Sequence, residues 1–205
     1  MKVLLVNGSP KERGCTFTAL SEIEGVLKSS GIETEFFHLG KAPVHGCAGC
    51  RACGKLGKCV FDDDVCNSLA DEMKKADGII LGSPVYYAGV NGAFCAVLDR
   101  VFYSQYSQNK AFEGKPGAAI VSCRRGGASS AFDRLNKYFT ISSMPVVPSQ
   151  YWNAVHGNTP EDVAQDKEGL QIMRTLGANM AWMLKSLENN PVPQKEPREW
   201  TNFIR

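Results

Sequence analysis

Lys2-Val3-Leu4-Leu5-Val6-Asn7, running into Gly8-Ser9-Pro10-Lys11-Glu12-Arg13-Gly14-Cys15-Thr16-Phe17-Thr18, decides the fold. The first six residues are a continuous apolar run, the mark of a strand buried on both faces, and the Gly-Ser-Pro that follows breaks it. Leu20, Ile23, Val26 and Leu27 then recur at helical spacing until Gly31, a helix stop. The alternation repeats along the chain. Glu33 to Leu39 reads as a second, more polar strand, and Val65, Leu69 and Met73 form a helical stripe ending near Ala76. Gly78 to Val85 (GIILGSPV) is a third strand; Phe94, Val97, Leu98, Val101 and Phe102 mark the next helix, with Asn91 as its candidate cap. GAAIV within Lys115 to Cys123, a stripe of Phe132, Leu135, Tyr138 and Phe139, and a short strand from Met144 to Val147 continue the pattern. Thr159-Pro160-Glu161-Asp162 opens the last helix, with Thr as cap, Pro in the first turn and acids at the positive end.

Strands alternating with helices predict right-handed crossovers and a parallel sheet covered on both sides. Five such strands over this length imply an α/β, doubly wound sheet of the flavodoxin-like order. The chain of 205 residues fits one domain. That domain is expected over residues 1–188, with a cysteine-rich insertion at 45–64 and a proline-rich, charged tail at 189–205. The tail reads as an extended arm, with Trp200, Phe203 and Ile204 as anchors for a neighbouring subunit. Lys+Arg (23) against Asp+Glu (21) leaves a formal charge of +2. Such near-balance argues against nucleic acid or an anionic membrane as the partner. No apolar run approaches the roughly 20 residues of a membrane span, and Val3 to Val6 is too short for the apolar region of a signal peptide. A cytoplasmic, thiol-reducing setting is therefore expected, and the eight cysteines need a reason other than disulfides.

Ligands of open α/β sheets sit beyond the carboxyl ends of the strands, where strand order reverses. Three loops are expected there. The first, Gly8 to Thr18, leads into a helix N-terminus whose unpaired N–H groups suit a phosphate; Ser9, Thr16 and Thr18 add hydroxyls, and Lys11 or Arg13 charge. It lacks the glycine-lysine pattern of a nucleoside-triphosphate loop and the GxGxxG of a dinucleotide fold. An ordinary strand-to-helix turn is the plainer alternative. The second, Gly82 to Gly92, carries Tyr86 and Tyr87 beside exposed backbone, suited to a planar heterocycle; two tyrosines packed under the loop are its alternative. The third, Ser122-Cys123-Arg124-Arg125-Gly126-Gly127, pairs two arginines with a glycine pair that lets the chain lie flat on a ligand. A solvated arginine pair on a surface turn is the plainer alternative, and for one of the two the better reading.

The cysteines carry the strongest signal. Cys47, Cys50, Cys53 and Cys59 are spaced C-x2-C-x2-C-x5-C, and thiolates select zinc or iron–sulfur clusters. Structural zinc usually takes two separated C-x2-C knuckles, whereas successive x2 spacing wraps a short loop around a larger object, as cubane clusters require. Arg51, Lys55 and Lys58 can offset the negative charge of four thiolates. Packed thiols without metal, or a zinc knob, are the alternatives. Cys15, Cys66 and Cys95 read as small buried residues, and of the histidines only His45 lies near the motif.

Together these stretches resemble the flavodoxin-like NADPH-dependent FMN reductase family, and the cysteine motif resembles its iron–sulfur flavoprotein branch. NGSPKERGCT, ADGIILGSPVYYAGVNGAF with Leu98-Asp99-Arg100, and the glycine pair after the fourth apolar strand carry the likeness. The resemblance implies FMN as cofactor. Ser9, Lys11, Thr16 and Thr18 would hold its phosphate, with Gly14 and Phe17 in the same loop. Pro84, Val85, Tyr86 and Tyr87 would lie along the isoalloxazine, and Cys123, Arg124, Arg125, Gly126 and Gly127 would close its far side. It further implies a 4Fe–4S cluster on Cys47, Cys50, Cys53 and Cys59, NAD(P)H as co-substrate, a ferredoxin-type or small-molecule electron partner, and a homodimer or homotetramer. The expected activity is a flavin-dependent oxidoreductase converting two-electron to one-electron transfer, with no side chain singled out as general acid or base. A cluster-free NAD(P)H:FMN or quinone reductase, and a flavodoxin-type electron carrier, are the competing functions.

Overall fold

The first strand, β1 (Lys2–Asn7), sends successive side chains into two different cores. Leu4 and Val6 pack on one face of the sheet and Val3 and Leu5 on the other, all four with no exposed surface. The continuous apolar run is thus period-two alternation with both faces buried. This computed structural model describes residues 1–106, 110–197, 199, 201 and 203. After β1 follow α1 (Cys15–Ser29), β2 (Glu33–His38), α2 (Cys53–Leu56), α3 (Cys66–Lys75), β3 (Gly78–Tyr86), β4 (Gly89–Val90), α4 (Gly92–Tyr106) and β5 (Gly117–Cys123). The chain continues through α5 (Ala128–Ile141), β6 (Ala154–His156), α6 (Pro160–Gln165) and α7 (Lys167–Leu187).

The parallel strands are ordered β2-β1-β3-β5-β6, the doubly wound arrangement expected from the sequence. Order reverses between β1, whose register pairs Leu4 with Ile79 of β3, and β3 itself. One core lies under α3, α4 and α5, with Leu69, Met73, Phe94, Val97, Leu135 and Phe139 at its centre. The other lies under α1 and α7, through Leu20, Ile23, Met173, Leu176 and Met180. α1 ends as anticipated, with Gly31 at φ +78° just past its last turn.

Three features differ from expectation. The segment from Met144 to Val147 makes only an isolated bridge, Val146 to Gly117, and the fifth parallel strand is β6, ten residues later. Pro145 and Pro148 explain this: neither has an N–H to give a ladder, so pairing stops at Gly117 N–H to the Pro145 carbonyl (2.9 Å) and Val147 N–H to the Gly117 carbonyl (2.9 Å). The last helix is two. Thr159 caps α6 in a reciprocal capping box with Asp162, and Asp166 then starts α7 by accepting from the Gly169 N–H at 2.9 Å. The third strand continues into a hairpin, where Val85 pairs with Val90 across the antiparallel β4. Of the tail, Lys195 bonds Ser143 (2.7 Å) and Glu113 (2.5 Å) of its own domain, and Phe203 is exposed. Trp200 and Ile204 lie outside the described residues.

Gly117 has a packing reason: a Cβ there would stand 2.4 Å from the buried ring of Phe139. Gly117→Ala is expected to destabilise the domain by about 1–3 kcal/mol through overpacking. A lowered urea midpoint at unchanged m-value would show it; an unchanged midpoint would contradict it.

Candidate functional site

The three loops at the carboxyl edge are tied to one another by buried side chains. Asn7, at the end of β1, is 2% exposed. Its amide donates to the Glu12 carbonyl at 2.9 Å and its Oδ1 accepts from the Ser9 N–H at 3.1 Å, which fixes the curl of the first loop. The Ser9 hydroxyl oxygen accepts from the Lys11 N–H at 3.1 Å, leaving its own proton to donate. Gly14 precedes α1 with no side-chain cap and no acid in the first turn. The unpaired N–H groups of that turn and the positive end of the helix therefore face the loop. Thr16 is buried, sharing a hydrogen bond of 2.8 Å with Ser122 of β5. Thr18 donates back to the Gly14 carbonyl at 3.3 Å, and Phe17 packs its ring 5.0 Å from that of Phe36.

Asn91 joins the first loop to the second. Its amide donates to the Gly8 carbonyl at 2.7 Å, its Oδ1 caps α4 by accepting from the Ala93 N–H at 3.2 Å, and its own N–H donates to Ser83 at 3.1 Å. Gly8 is required at this junction, because a Cβ there would lie 2.2 Å from the Phe94 ring. In the hairpin, Pro84 is buried and Val85 half-buried, while Tyr86 is 44% exposed and Tyr87 fully so. Tyr87 (φ +48°) and Ala88 (φ +57°) both hold left-handed backbone, which costs non-glycine residues of order 1–3 kcal/mol each. The third loop braces this strained tip. Gly127 (φ +90°) lies so close that its Cβ would come 2.5 Å from the Ala88 Cα, and the Ser130 hydroxyl donates to the Ala88 carbonyl. Cys123 is buried and bonds the Gly126 carbonyl through sulfur at 2.9 Å, whereas Arg124 and Arg125 are exposed. Arg125 borders a cleft of about 430 Å³ on the β6 side, beside Tyr151, Trp152 and His156.

The cysteine loop is organised by α4. Cys47, Cys50, Cys53 and Cys59 line one hollow, together with Arg100 and Tyr103. Arg100 is 2% exposed, and its fork is spent on this loop. Nε donates to Cys59 Sγ at 3.1 Å, Nη1 to the His45 carbonyl at 3.2 Å and to Asp64, and Nη2 to the Phe61 carbonyl at 3.0 Å. Asn67 grips the same corner: Oδ1 accepts from the Cys59 N–H at 2.9 Å while Nδ2 donates to the Cys59 carbonyl at 3.0 Å. Burial pushes the Asp64 carboxyl up, but Arg100 and the backbone N–H groups of His45 and Cys66 outweigh it and hold the acid below its ordinary value. Cys66 lies in the core behind Cys59, where burial above all drives its thiol up to about 12. Cys15 begins α1 and Cys95 lies in α4, both half-buried and away from the hollow.

The hollow is asymmetric. Cys53 and Cys59 are buried, Cys47 and Cys50 exposed. Only about 20 Å³ is open within it, and among the described residues no three His, Cys, Asp or Glu side chains converge on a single ion. The four thiols are thus a donor set of the kind that zinc or an iron–sulfur group takes, with two at the buried base and two at the exposed mouth. His45 stacks on Phe61 with centroids 4.6 Å apart and points its Nε2 at Asp63, 3.2 Å away, outside the thiol set. Outside the mouth runs a groove of about 700 Å³ bordered by Cys47, Arg51, Tyr103, Arg134 and Lys137.

The scaffolding residues Asp64 and Asn67 had no role in the sequence reading, and Asn7, Ser122 and Arg100 figured only inside quoted stretches, with no part of their own. One signal was there: Arg100 borders the apolar stripe of Val97, Leu98 and Val101, where a charge needs a buried partner.

A family model described as NADPH-dependent FMN reductase matches residues 1–159. An iron-sulfur flavoprotein of Methanocaldococcus jannaschii is 34% identical over 193 residues, covering 92% of this chain and 100% of that protein. An iron-sulfur flavoprotein of Archaeoglobus fulgidus is 30% identical over 191 residues, covering 89% and 97%. Among solved structures, a flavodoxin from the domain Archaea superposes with a TM-score of 0.61 at 17% identity, covering 90% of this chain and 99% of that one. RosB with a bound riboflavin-phosphate intermediate superposes at 0.75 with 13% identity, covering 100% and 92%. These two likenesses establish the fold.

Two outcomes follow for the cysteine loop. Asn67→Ala leaves the Cys59 N–H and carbonyl unpaired, at about 1–3 kcal/mol for each group left buried; faster proteolytic cleavage between residues 45 and 64 is expected, and unchanged cleavage would contradict it. Because the folded Asp64 is depressed, its stabilisation is complete above the ordinary carboxylate value of about 4 and fades as pH falls through the lower folded value. Melting temperature followed across that range should lose this acidic limb in Asp64→Asn; an identical pH profile in the variant would contradict the assignment.

Proposed function

The chain belongs to the NADPH-dependent FMN reductase family, and from that premise we propose that this flavin-dependent oxidoreductase is an iron–sulfur flavoprotein. FMN sits on the three loops at the carboxyl edge, and a 4Fe–4S cluster on Cys47, Cys50, Cys53 and Cys59. The observation that carries the reading is that all four cysteines line one hollow beside a buried arginine. When bound, FMN supplies exchange between two-electron and one-electron transfer, and the cluster supplies one-electron transfer alone.

The chain's own residues bind and orient. The Ser9 hydroxyl, Lys11 and the first-turn N–H groups of α1, around Gly14, Thr16, Phe17 and Thr18, take the phosphate. Pro84 to Tyr87 lie along the ring system, and the braced segment from Cys123 to Gly127 covers its far side, with Arg124 or Arg125 beside a ring carbonyl. NAD(P)H approaches the open face, and a ferredoxin-type protein or small molecule exchanges single electrons at the cysteine side. Gly92, at the flavin end of α4, and Arg100 are eight residues apart, about 12 Å along the helix. The length of the cysteine loop prompts a homodimer or homotetramer in which one protomer's cysteine loop faces its partner's flavin. The exposed Tyr87 tip and the groove outside Cys47 are surfaces suited to it.

Anaerobically purified chain, reconstituted with iron and sulfide, should contain the two in one-to-one ratio and quench added FMN fluorescence. Cys59→Ser should lose the iron and keep the flavin. FMN binding without iron would leave the cluster-free reductase, and no quenching at all would overturn the flavin site. A solution mass equal to one chain would rule out the inter-protomer path.

A further inference from the structure

Arg100 is placed to do more than hold the loop. A guanidinium buried to 2% exposure carries a large desolvation cost, and backbone carbonyls alone could have been satisfied by neutral donors. Its Nε instead points at the sulfur of Cys59 at 3.1 Å, and its countercharge, Asp64, is as buried as it is, both side chains about 1% exposed. Asp64 is itself held in place by the His45 N–H at 2.9 Å and the Cys66 N–H at 3.0 Å. Phe61 lies across the guanidinium, 5.5 Å from its carbon, and shields the pair from solvent. A fixed cation in contact with one ligand sulfur, with a fixed anion one step behind it, is an arrangement whose sign matters to any charge placed on the sulfur.

We propose that Arg100 and Asp64 form an opposed pair that sets the reduction potential of the thiolate-bound group on Cys47, Cys50, Cys53 and Cys59. The proposal rests on the cluster reading above. One-electron reduction adds one negative charge, with no bond broken and no proton taken up; the electron comes from the flavin in turnover and from dithionite in a titration. The N–H donated to Cys59 and the positive charge behind it stabilise that added charge and raise the potential. Asp64 offsets part of the effect from the far side of the fork. Arg100 touches the sulfur and Asp64 does not, so Arg100 has the larger influence. Both are positioning residues acting through Cys59.

The test compares reconstituted wild type with Arg100→Gln, Arg100→Lys and Asp64→Asn in anaerobic redox titrations with dithionite, read by the electron paramagnetic resonance of the reduced cluster. Arg100→Gln should move the midpoint to more negative values and Asp64→Asn to more positive ones, with Arg100→Lys between Arg100→Gln and wild type. Iron retention against a chelator should fall about ten- to a hundredfold in Arg100→Gln. Opposite signs are the discriminating result, because general damage to the loop would move both variants the same way. Shifts of the same sign, or none, with full iron in each variant would overturn the proposal while leaving the cluster reading intact. Should Arg100→Gln fail to hold iron, Arg100→Lys and Asp64→Asn decide it by the same criterion. A wild-type chain that takes up no iron overturns the cluster reading and this proposal together.

Discussion

The buried fork of Arg100 is the contact on which the cysteine side of this molecule depends. Residues 45–64 have little regular structure, one short helix and left-handed backbone at Gly49, Arg51 and Gly57, so few backbone ladder bonds hold them. What holds them is a charge that cannot be left alone in the interior. Removing one partner of a buried ion pair typically costs about 3–5 kcal/mol, and here the guanidinium is bound at Cys59, His45, Phe61 and Asp64 at once. The loop is thereby fastened at its start and at its end, with the cysteines between.

The same helix serves the other site. At its start, Asn91 bonds the Gly8 carbonyl and Phe94 packs against Gly8; two turns later Arg100 holds the cysteine loop. A displacement of α4 would therefore disturb both sites together. The carboxyl edge of the sheet has its own tension, stored at Tyr87 and Ala88 and braced by Gly127 and Ser130. Such strain persists only where the surroundings over-determine it, and it leaves Tyr87 projecting with its whole ring free.

The sheet was legible because β1, β3 and β5 each hold an unbroken apolar stretch (Val3 to Val6, Ile79 to Leu81, Ala118 to Val121), and the helices because their stripes keep a 3.6 period. The fifth strand was misplaced because Met144 to Val147 has the apolar pattern, yet Pro145 and Pro148 deny it the donors; the pattern reports burial, and pairing needs N–H groups as well. The cysteine spacing was readable as a motif, and the structure sets all four cysteines around one hollow. What holds them in place was not. Arg100 is forty-one residues from Cys59, and Asn67 reads as a polar position on an amphipathic helix. Long-range side-chain bonds leave no periodicity behind, so only a charge on the border of an apolar stripe hinted at them. Likewise Asn7 and Ser122 look like ordinary strand ends until the structure sets them against Glu12 and Thr16.

Half of the cysteine site, around Cys53 and Cys59, is preformed by the chain itself. Hydrogen–deuterium exchange on metal-free protein tests this most directly. The amides of His45, Cys59 and Cys66, each donating to a side chain in the Arg100 and Asn67 network, should be protected while those of Cys47 and Cys50 exchange rapidly. Fast exchange throughout residues 45–66, as in an unfolded peptide, would contradict it.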